Sequence, residues 1–204
     1  MAHDGQDTAF DAPVVLDDLI TLTGAAVGPV EALLETAKSR VRAMVSSEDG
    51  RVSGALIEAH QTASHGLAWL ATYTQSLKQM QRWAEALQAE GKFGETEQLL
   101  LQIAFGEYLW QIYGGIQMNQ GEMVRLQDLG LDQTDMRGLM EPAVMTLTQM
   151  GNTQNARTRL VELMQEHSAN ITVGASGLDD ELEMIREQFR RYAVEKVEPF
   201  AHEW

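Results

Sequence analysis

Histidine is the residue type in this chain best suited to hold a metal ion or transfer a proton, and five are present: His3, His60, His65, His167 and His202. Di-iron sites in helical bundles use Glu-x-x-His pairs, and zinc peptidases use His-Glu-x-x-His. None of the five has Glu or Asp three residues before it. His60 and His65 are five residues apart, so a helix would point them to different faces. The sequence therefore predicts no metal site.

Nucleophilic catalysis and phosphate binding also lack their usual patterns. The chain has no cysteine and no Gly-x-Ser-x-Gly turn. Ser64 and His65 are adjacent, so their side chains point apart on a helix. The run from Gly91 to Gly94 lacks the spacing of a phosphate-binding loop and is typical of a helix end followed by a turn. We therefore predict no catalytic, cofactor-binding or metal-binding residue in this chain.

Aromatic side chains are concentrated on the two longest helical patterns of the chain: Trp69, Tyr73, Trp83, Phe105, Tyr108, Trp110 and Tyr113. Packing between two core helices is the favoured interpretation, because aromatic side chains dominate the apolar area of protein cores. A ligand pocket around Trp69, Trp110 and Gly114 is the alternative.

Charge argues against two classes of partner. Thirty acidic residues against fifteen basic ones give a formal net charge of −15. A chain this acidic is repelled by nucleic-acid phosphates and by anionic membrane surfaces. The basic residues are scattered apart from two short clusters: Lys38, Arg40 and Arg42, and Arg186, Arg190 and Arg191. We predict that the chain binds no nucleic acid and no membrane.

The sequence also predicts a cytoplasmic location. No stretch approaches the roughly 18 consecutive apolar residues of a membrane span. The first residues lack the basic and apolar regions of a signal peptide. The absence of cysteine excludes disulfides and fits a reducing compartment.

Apolar residues recur at helical spacing through most of the chain, and no alternating run of Val, Ile or Thr predicts a sheet. The predicted fold class is all-α: a helical bundle with long antiparallel helices, followed by a linker and a single terminal helix. Four segments follow from composition: a disordered leader at 1–13, a helical domain at 14–168, the linker at 169–177 and a terminal segment at 178–204.

Glycine and proline divide the first part of the helical domain. Gly24, Gly28 and Pro29 predict a break, with Pro29 in the first turn of the next helix. The longest helical pattern covers about residues 52–90. Gly66 interrupts it and predicts either a kink or a close helix crossing.

The second part of the helical domain contains shorter patterns. Residues 95–113 are apolar on nearly all sides, which predicts the central and most buried helix. A glycine pair then breaks or bends it, and the helical pattern resumes weakly through Val124. Two further helices fit residues 133–150, with Pro142 inside, and 152–168.

The terminal helix is predicted to begin at Asp179 or Asp180, because an acidic first turn favours a helix start. Pro199 is predicted to end it. Its apolar stripe consists of Leu182, Ile185, Phe189, Ala193 and Val197. One helix cannot bury its own stripe, so this helix either docks back or, as we prefer, belongs to a domain that the chain lacks.

Four segments carry a resemblance to a known family. Residues 182–204, LEMIREQFRRYAVEKVEPFAHEW, resemble the first helix of the acyl-CoA dehydrogenase flavoenzymes. Upstream, residues 64–73, 105–110 and 122–130 resemble the N-terminal helical extension that a member of this family carries. Together the segments cover most of the chain from about residue 52, in the order extension, linker, first dehydrogenase helix.

The resemblance implies that residues 14–168 are an extension domain and that residues 178–204 begin a dehydrogenase domain. In this family a glutamate removes the α-proton of the acyl-CoA while the flavin accepts the β-hydride. The glutamate and nearly all flavin contacts lie beyond the first helix, so no residue here inherits a catalytic role. The resemblance implies FAD in the full-length parent and none bound by this segment alone.

The segment from Gln111 to Ile116, QIYGGI, resembles a Gln-Ile-x-Gly-Gly segment that lies near the flavin in the C-terminal domain of the family. It departs from the family pattern after Ile116 and lies in a different part of the chain. We therefore assign it no flavin contact.

The resemblance also implies partners: the remainder of the dehydrogenase, an acyl-CoA substrate of the parent, and further copies in a homo-oligomer. The segment itself is then non-catalytic and docks on the dehydrogenase body. A stand-alone helical interaction protein, forming homo- or hetero-oligomers, is the alternative. A bundle that binds a small molecule is a third.

Overall fold

A computed structural model describes residues 13–166 and 173–203 of the chain. It is 75% helical, and the all-α prediction is confirmed. The helices in chain order are α1 (Leu19–Val45), α2 (Gly54–Ala59), α3 (Gln61–Ala89), α4 (Glu95–Gly114), α5 (Pro142–Met150), α6 (Gln154–Glu166) and α7 (Asp180–Tyr192). The predicted leader up to residue 12, residues 167–172 of the predicted domain and linker, and Trp204 lie outside the described residues.

The chain divides into two compact units, Met1–Gly174 and Ala175–Trp204. The first unit holds α1 to α6 together with a small hairpin, and the second holds α7. The division falls within residues 169–177, the segment that composition predicts to be a linker.

One apolar core joins α1, α3, α4 and α5 in the first unit. Each helix contributes side chains at the three- and four-residue spacing that puts them on one face. The buried residues include Ala26, Val30, Leu33, Ala37 and Val41 from α1, Leu70, Leu77 and Ala84 from α3, Leu101, Phe105, Leu109 and Ile112 from α4, and Val144 and Leu147 from α5. Each large side chain buried in this way stabilises the fold by about 1.5–3 kcal/mol.

Helices α3 and α4 run in opposite directions, as contacts at their two ends show. Near the turn that joins them, the rings of Trp83 and Phe93 meet edge to face with centroids 6.3 Å apart. Farther along, the Tyr73 hydroxyl donates a hydrogen bond of 2.6 Å to the side-chain oxygen of Gln111. The antiparallel arrangement predicted for the long helices is therefore present in this pair.

The predicted break at Gly24, Gly28 and Pro29 is wrong, because α1 is continuous through all three residues. Val30 is 1% exposed and anchors this part of the helix in the core. Pro29 packs against the short 3-10 helix before α5, where a Cβ on Gly138 would lie 3.3 Å from the Pro29 Cβ. Tertiary packing here outweighs the cost of proline in a helix interior, which is about 3 kcal/mol.

Helix α1 is also long and apolar enough to cross a membrane, judged by length and composition alone. Its buried side chains belong to the same core cluster as those of α3 and α4. Contacts of this kind are typical of a central helix in a folded domain.

The single helix predicted over residues 52–90 is instead two helices, α2 and α3, with His60 between them in a non-helical conformation. Gly66 lies inside α3 and does not interrupt it. A Cβ on Gly66 would overlap the side chain of Val124. This glycine therefore permits a close approach of the hairpin rather than of another helix.

The weak helical pattern predicted after the glycine pair is wrong. Gly115 has φ +135°, a value that glycine adopts readily, and it turns the chain out of α4. Two short antiparallel strands follow, β1 (Ile116–Gln117) and β2 (Met123–Val124), with Ile116 opposite Val124. Strands of two residues are too short for alternation to reveal them in a sequence.

Pro142 is the first residue of α5 rather than an interior one. The residues before it form a short 3-10 helix, Asp135–Met140. Proline suits the first helical position because its missing N–H has no partner there in any helix. The predicted helix over 133–150 is therefore shorter and starts at the proline.

Candidate functional site

An apolar groove lies between α4 and α5, and we call it the aromatic groove. It encloses about 220 Å³ and is lined by Leu109, Trp110, Tyr113, Leu139, Val144, Met145, Thr148 and Gln149. Its α4 wall follows from helical geometry. Leu109 and Ile112 point into the core, so the neighbouring residues Trp110 and Tyr113 lie outside it.

The side chains of the two aromatic residues of the groove are unusually exposed to solvent for their size. Trp110 is 56% exposed and Tyr113 is 51% exposed. Their rings stack with centroids 6.1 Å apart and planes at 25°. Large aromatic side chains are enriched in protein interfaces, where one covered pair contributes much of the binding energy. The groove therefore has the composition of an interaction surface.

A polar network lies along α4 and ties three helices together. The Tyr73 hydroxyl donates to Gln111, and the Gln111 amide donates to Glu107 at 2.7 Å. The other Glu107 oxygen accepts from Asn152 at 2.6 Å, and Asn152 accepts from Arg157 at 2.6 Å. Each donor in this chain of bonds has an acceptor, so the network fixes α3, α4 and α6 rather than presenting a reactive group.

Burial raises the pKa of Tyr73 above its usual value, and the neighbouring Tyr108 and Glu107 charges add to the effect. The Tyr73 ring also stacks on Tyr108, with centroids 4.5 Å apart. A phenol held protonated and bonded to an amide oxygen is a structural donor and a poor nucleophile.

The aromatic groove differs from the pocket around Trp69, Trp110 and Gly114 that the sequence left as an alternative. Trp69 belongs to a row of rings along α3, where its indole N–H donates to His65 Nε2 at 3.0 Å and its ring meets Tyr73 edge to face. The aromatic groove includes Trp110 but neither Trp69 nor Gly114. Its other wall comes from α5, which sequence spacing could not place.

The second unit presents an exposed apolar surface on α7, which we call the α7 face. It consists of Leu182, Ile185, Phe189 and Tyr192. Their spacing of three, four and three residues puts them on one side of the helix. Phe189 is 72% exposed. None of the described residues of α7 is buried, so the helix shows a whole apolar stripe to solvent.

The start of α7 is as predicted, and its end is not. The Asp179 carboxylate accepts from the Leu182 N–H at 2.8 Å and so caps the helix. Regular α-helix stops at Tyr192. A π-helical turn, Ala193–Val197, follows, so the predicted stripe residues beyond Phe189 lie outside regular α-helix.

The histidines and Ser64 form no catalytic arrangement in the part of the chain that the structure describes. Ser64 Oγ is buried without a hydrogen-bond partner, while His65 accepts from Trp69. Across residues 13–166 and 173–203, no group of three His, Asp or Glu side chains is placed to hold a metal ion. His3 and His167 lie outside those residues.

The Gly91 segment is a helix end, as predicted. Gly91 has φ +68°. The Lys92 N–H donates to the Leu87 carbonyl at 2.8 Å, and the Gly91 N–H donates to the Gln88 carbonyl at 3.1 Å. These two bonds form the Schellman motif that closes α3.

Comparison with known proteins identifies one related enzyme. No protein-family model matches the chain. Over 190 residues, however, the chain is 54% identical to (2S)-methylsuccinyl-CoA dehydrogenase of Cereibacter sphaeroides, and the match covers 93% of the chain. The resemblance to an acyl-CoA dehydrogenase is confirmed.

The chain spans 34% of the length of (2S)-methylsuccinyl-CoA dehydrogenase. The match covers nearly all of this chain, so it includes most of the helical unit as well as sequence near α7 or within it. The larger part of the relative lies outside the matched region. The aromatic groove and the α7 face are therefore surfaces of a chain related to one portion of a larger enzyme.

Proposed function

We propose that the chain is the N-terminal portion of an FAD-dependent acyl-CoA dehydrogenase similar to (2S)-methylsuccinyl-CoA dehydrogenase. The parent enzyme oxidises an acyl-CoA to its α,β-unsaturated product. The observation that carries the proposal is the 54% identity over 93% of the chain. We also propose that the parent is cytoplasmic.

The aromatic groove does not suit FAD. The aromatic groove has no charged residue in its lining to meet a pyrophosphate, and its volume of about 220 Å³ is small. Cofactor pockets usually measure about 300–1,000 Å³. We place FAD and acyl-CoA on the remainder of the parent enzyme and expect this segment by itself to be inactive.

The role proposed for this segment is docking. None of the described residues of α7 is buried, so the α7 face is exposed. A single amphipathic helix is stable only when its apolar stripe is buried. The dehydrogenase body is the occupant that the relationship supplies. We propose that the parent is a homo-oligomer.

A stand-alone interaction protein is the second candidate. The exposed pair Trp110 and Tyr113 favours it, because such a pair could join two copies of the chain. It predicts a stable homodimer in sedimentation. The docking proposal predicts that the isolated chain has no need to dimerise.

The test is a chimera in which this chain replaces the matched region of the Cereibacter sphaeroides enzyme. We expect the chimera to retain bound flavin, seen in its visible absorbance, and to reduce an electron acceptor when given (2S)-methylsuccinyl-CoA. The unaltered enzyme is the control. A chimera that folds by circular dichroism yet neither holds flavin nor turns over would contradict the proposal.

A further inference from the structure

We infer that the aromatic groove is a second docking site for the dehydrogenase body, separate from the α7 face and located on the helical unit. This inference rests on the proposed function. One large apolar side chain of the dehydrogenase body, aromatic or aliphatic, would then insert into the groove between Trp110 and α5.

The shape of the groove fits such a side chain. Its floor is made by Leu109, Leu139 and Val144, which are at most 2% exposed and belong to the core. Its rim is made by the stacked rings of Trp110 and Tyr113. The volume is about 220 Å³. An apolar protein cavity of about 150 Å³ already accepts a benzene molecule, so an aromatic side chain fits.

The charge of the groove favours a protein surface over an anionic ligand. All eight residues of its lining are uncharged, on a chain whose formal net charge is −15. A nucleotide or coenzyme A would find no cation in the lining to bind its phosphates. An uncharged apolar patch on an acidic chain instead suits the apolar centre of a protein interface.

The same charge favours the dehydrogenase body over a second copy of the chain. Two copies would bring net charges of −15 and −15 together, and this repulsion opposes self-association. The greater part of the relative's polypeptide lies outside the matched region, so the proposed parent carries a further protein surface that is available to cover the groove. The groove supplies a rigid apolar surface for it.

The experiment compares Trp110→Asp with Val161→Asp, both in the isolated chain and in the chimera. Both residues are on helices and about half exposed, at 56% and 51%, and Val161 lies on α6 outside the groove. The two substitutions therefore carry a similar cost in helix propensity. A larger loss of stability in the chimera than in the isolated chain would show that the dehydrogenase body covers the substituted residue.

We expect Trp110→Asp to lower the melting temperature of the chimera by about 5 °C more than it lowers that of the isolated chain, whereas Val161→Asp should lower the two melting temperatures equally. We also expect Trp110 in the unsubstituted chimera to react about tenfold more slowly with hydroxyl radicals than in the isolated chain, because a covered aromatic anchor is shielded from water.

Two results would overturn the inference. One is equal hydroxyl-radical reactivity of Trp110 in the chimera and the isolated chain, with Trp110→Asp lowering the two melting temperatures by the same amount. The other is an isolated chain that sediments as a dimer and becomes a monomer with Trp110→Asp, which would assign the groove to a second copy. An active chimera with an uncovered groove would leave the proposed function standing, whereas a chimera without flavin or turnover would contradict that function itself.

Discussion

Gly106 of α4 and Gly151 after α5 are in near contact, since a Cβ on Gly151 would lie 3.1 Å from the Gly106 Cα. A Cβ on Gly106 would lie 2.7 Å from the Asn152 backbone nitrogen and 3.0 Å from the Leu147 carbonyl oxygen. Backbone atoms cannot rotate away as a side chain can. The two glycines therefore let α4 pack directly on the end of α5, and this packing positions the two walls of the aromatic groove.

Gly106→Ala is expected to destabilise the chain by about 1–3 kcal/mol, because the added methyl group overpacks a backbone contact. Alanine favours a helix over glycine by about 1 kcal/mol, so the clash has to exceed that gain. Gly114→Ala is the matched control, since it lies in the same helix and its added methyl group would meet no neighbouring atom within 4 Å. Urea unfolding measures both. Equal stability of the two variants would contradict the account.

Gln102 holds the segment before α1 to α4. Its side-chain oxygen accepts from the Leu16 N–H at 2.7 Å, and its amide donates to the Val14 carbonyl at 3.1 Å. Gln102→Leu leaves both backbone groups without these bonds, so we expect a loss of about 1–3 kcal/mol. We also expect faster hydrogen exchange at the Leu16 amide. The exposed Gln120→Leu should change neither the stability nor the exchange rate. An unchanged exchange rate of the Leu16 amide in Gln102→Leu would contradict the role of Gln102 in holding this segment.

Because of Tyr73, the stability of the folded chain should change with pH in the alkaline range. Its pKa in the folded chain is raised above the usual 10.0, chiefly by burial. Its contribution to stability is therefore fully present below pH 10.0 and is lost as the pH rises through the higher folded value. Tyr73→Phe should cost about 1 kcal/mol at neutral pH and flatten this dependence. Tyr113→Phe, on the exposed side of α4, should keep the wild-type profile in urea unfolding at stepped pH.

Because of Glu95, the stability of the folded chain should change with pH in the acid range. The hydrogen bonds from Arg159, 2.8 and 2.9 Å long, are the main cause that lowers the pKa of the Glu95 carboxyl below 4.5. Its contribution is therefore present above pH 4.5 and is lost as the pH falls through the lower folded value. Glu95→Gln should make the melting temperature less sensitive to pH in this window. Glu48→Gln, on the exposed turn after α1, should leave the wild-type slope.

Local sequence rules predicted the elements whose ends depend on neighbouring residues. The Schellman end at Gly91 and the start of α7 at Asp179 each need only a few residues, all visible in the sequence. The all-α class followed from helical periodicity for the same reason. The break predicted at Pro29 was wrong because packing against the 3-10 helix that contains Gly138, which is distant in sequence, decides the conformation there.

The candidate surfaces were only half predictable. The α7 face could be predicted because one helix carries all of it. The aromatic groove could not, since Trp110 on α4 meets Val144 and Met145 only after the hairpin and a 3-10 helix reverse the chain. The network from Tyr73 to Arg157 likewise joins three helices, and no spacing rule connects them.

If the chain is one part of a dehydrogenase and is held to the rest by the α7 face, substitutions in that face should reduce flavin binding and turnover in the chimera. The most direct test compares Phe189→Asp with Met184→Asp in the chimera. Met184 is also exposed and apolar, at 56%, but lies off the α7 face. The readouts are flavin bound per chain and acceptor reduction with (2S)-methylsuccinyl-CoA.

We expect Phe189→Asp to lower both readouts at least about tenfold, because it places a charge in the apolar contact that the dehydrogenase body is proposed to bury. We expect Met184→Asp to stay close to the unsubstituted chimera. Equal activity of the two variants, with flavin fully bound in each, would contradict the claim that α7 holds this chain to a dehydrogenase body.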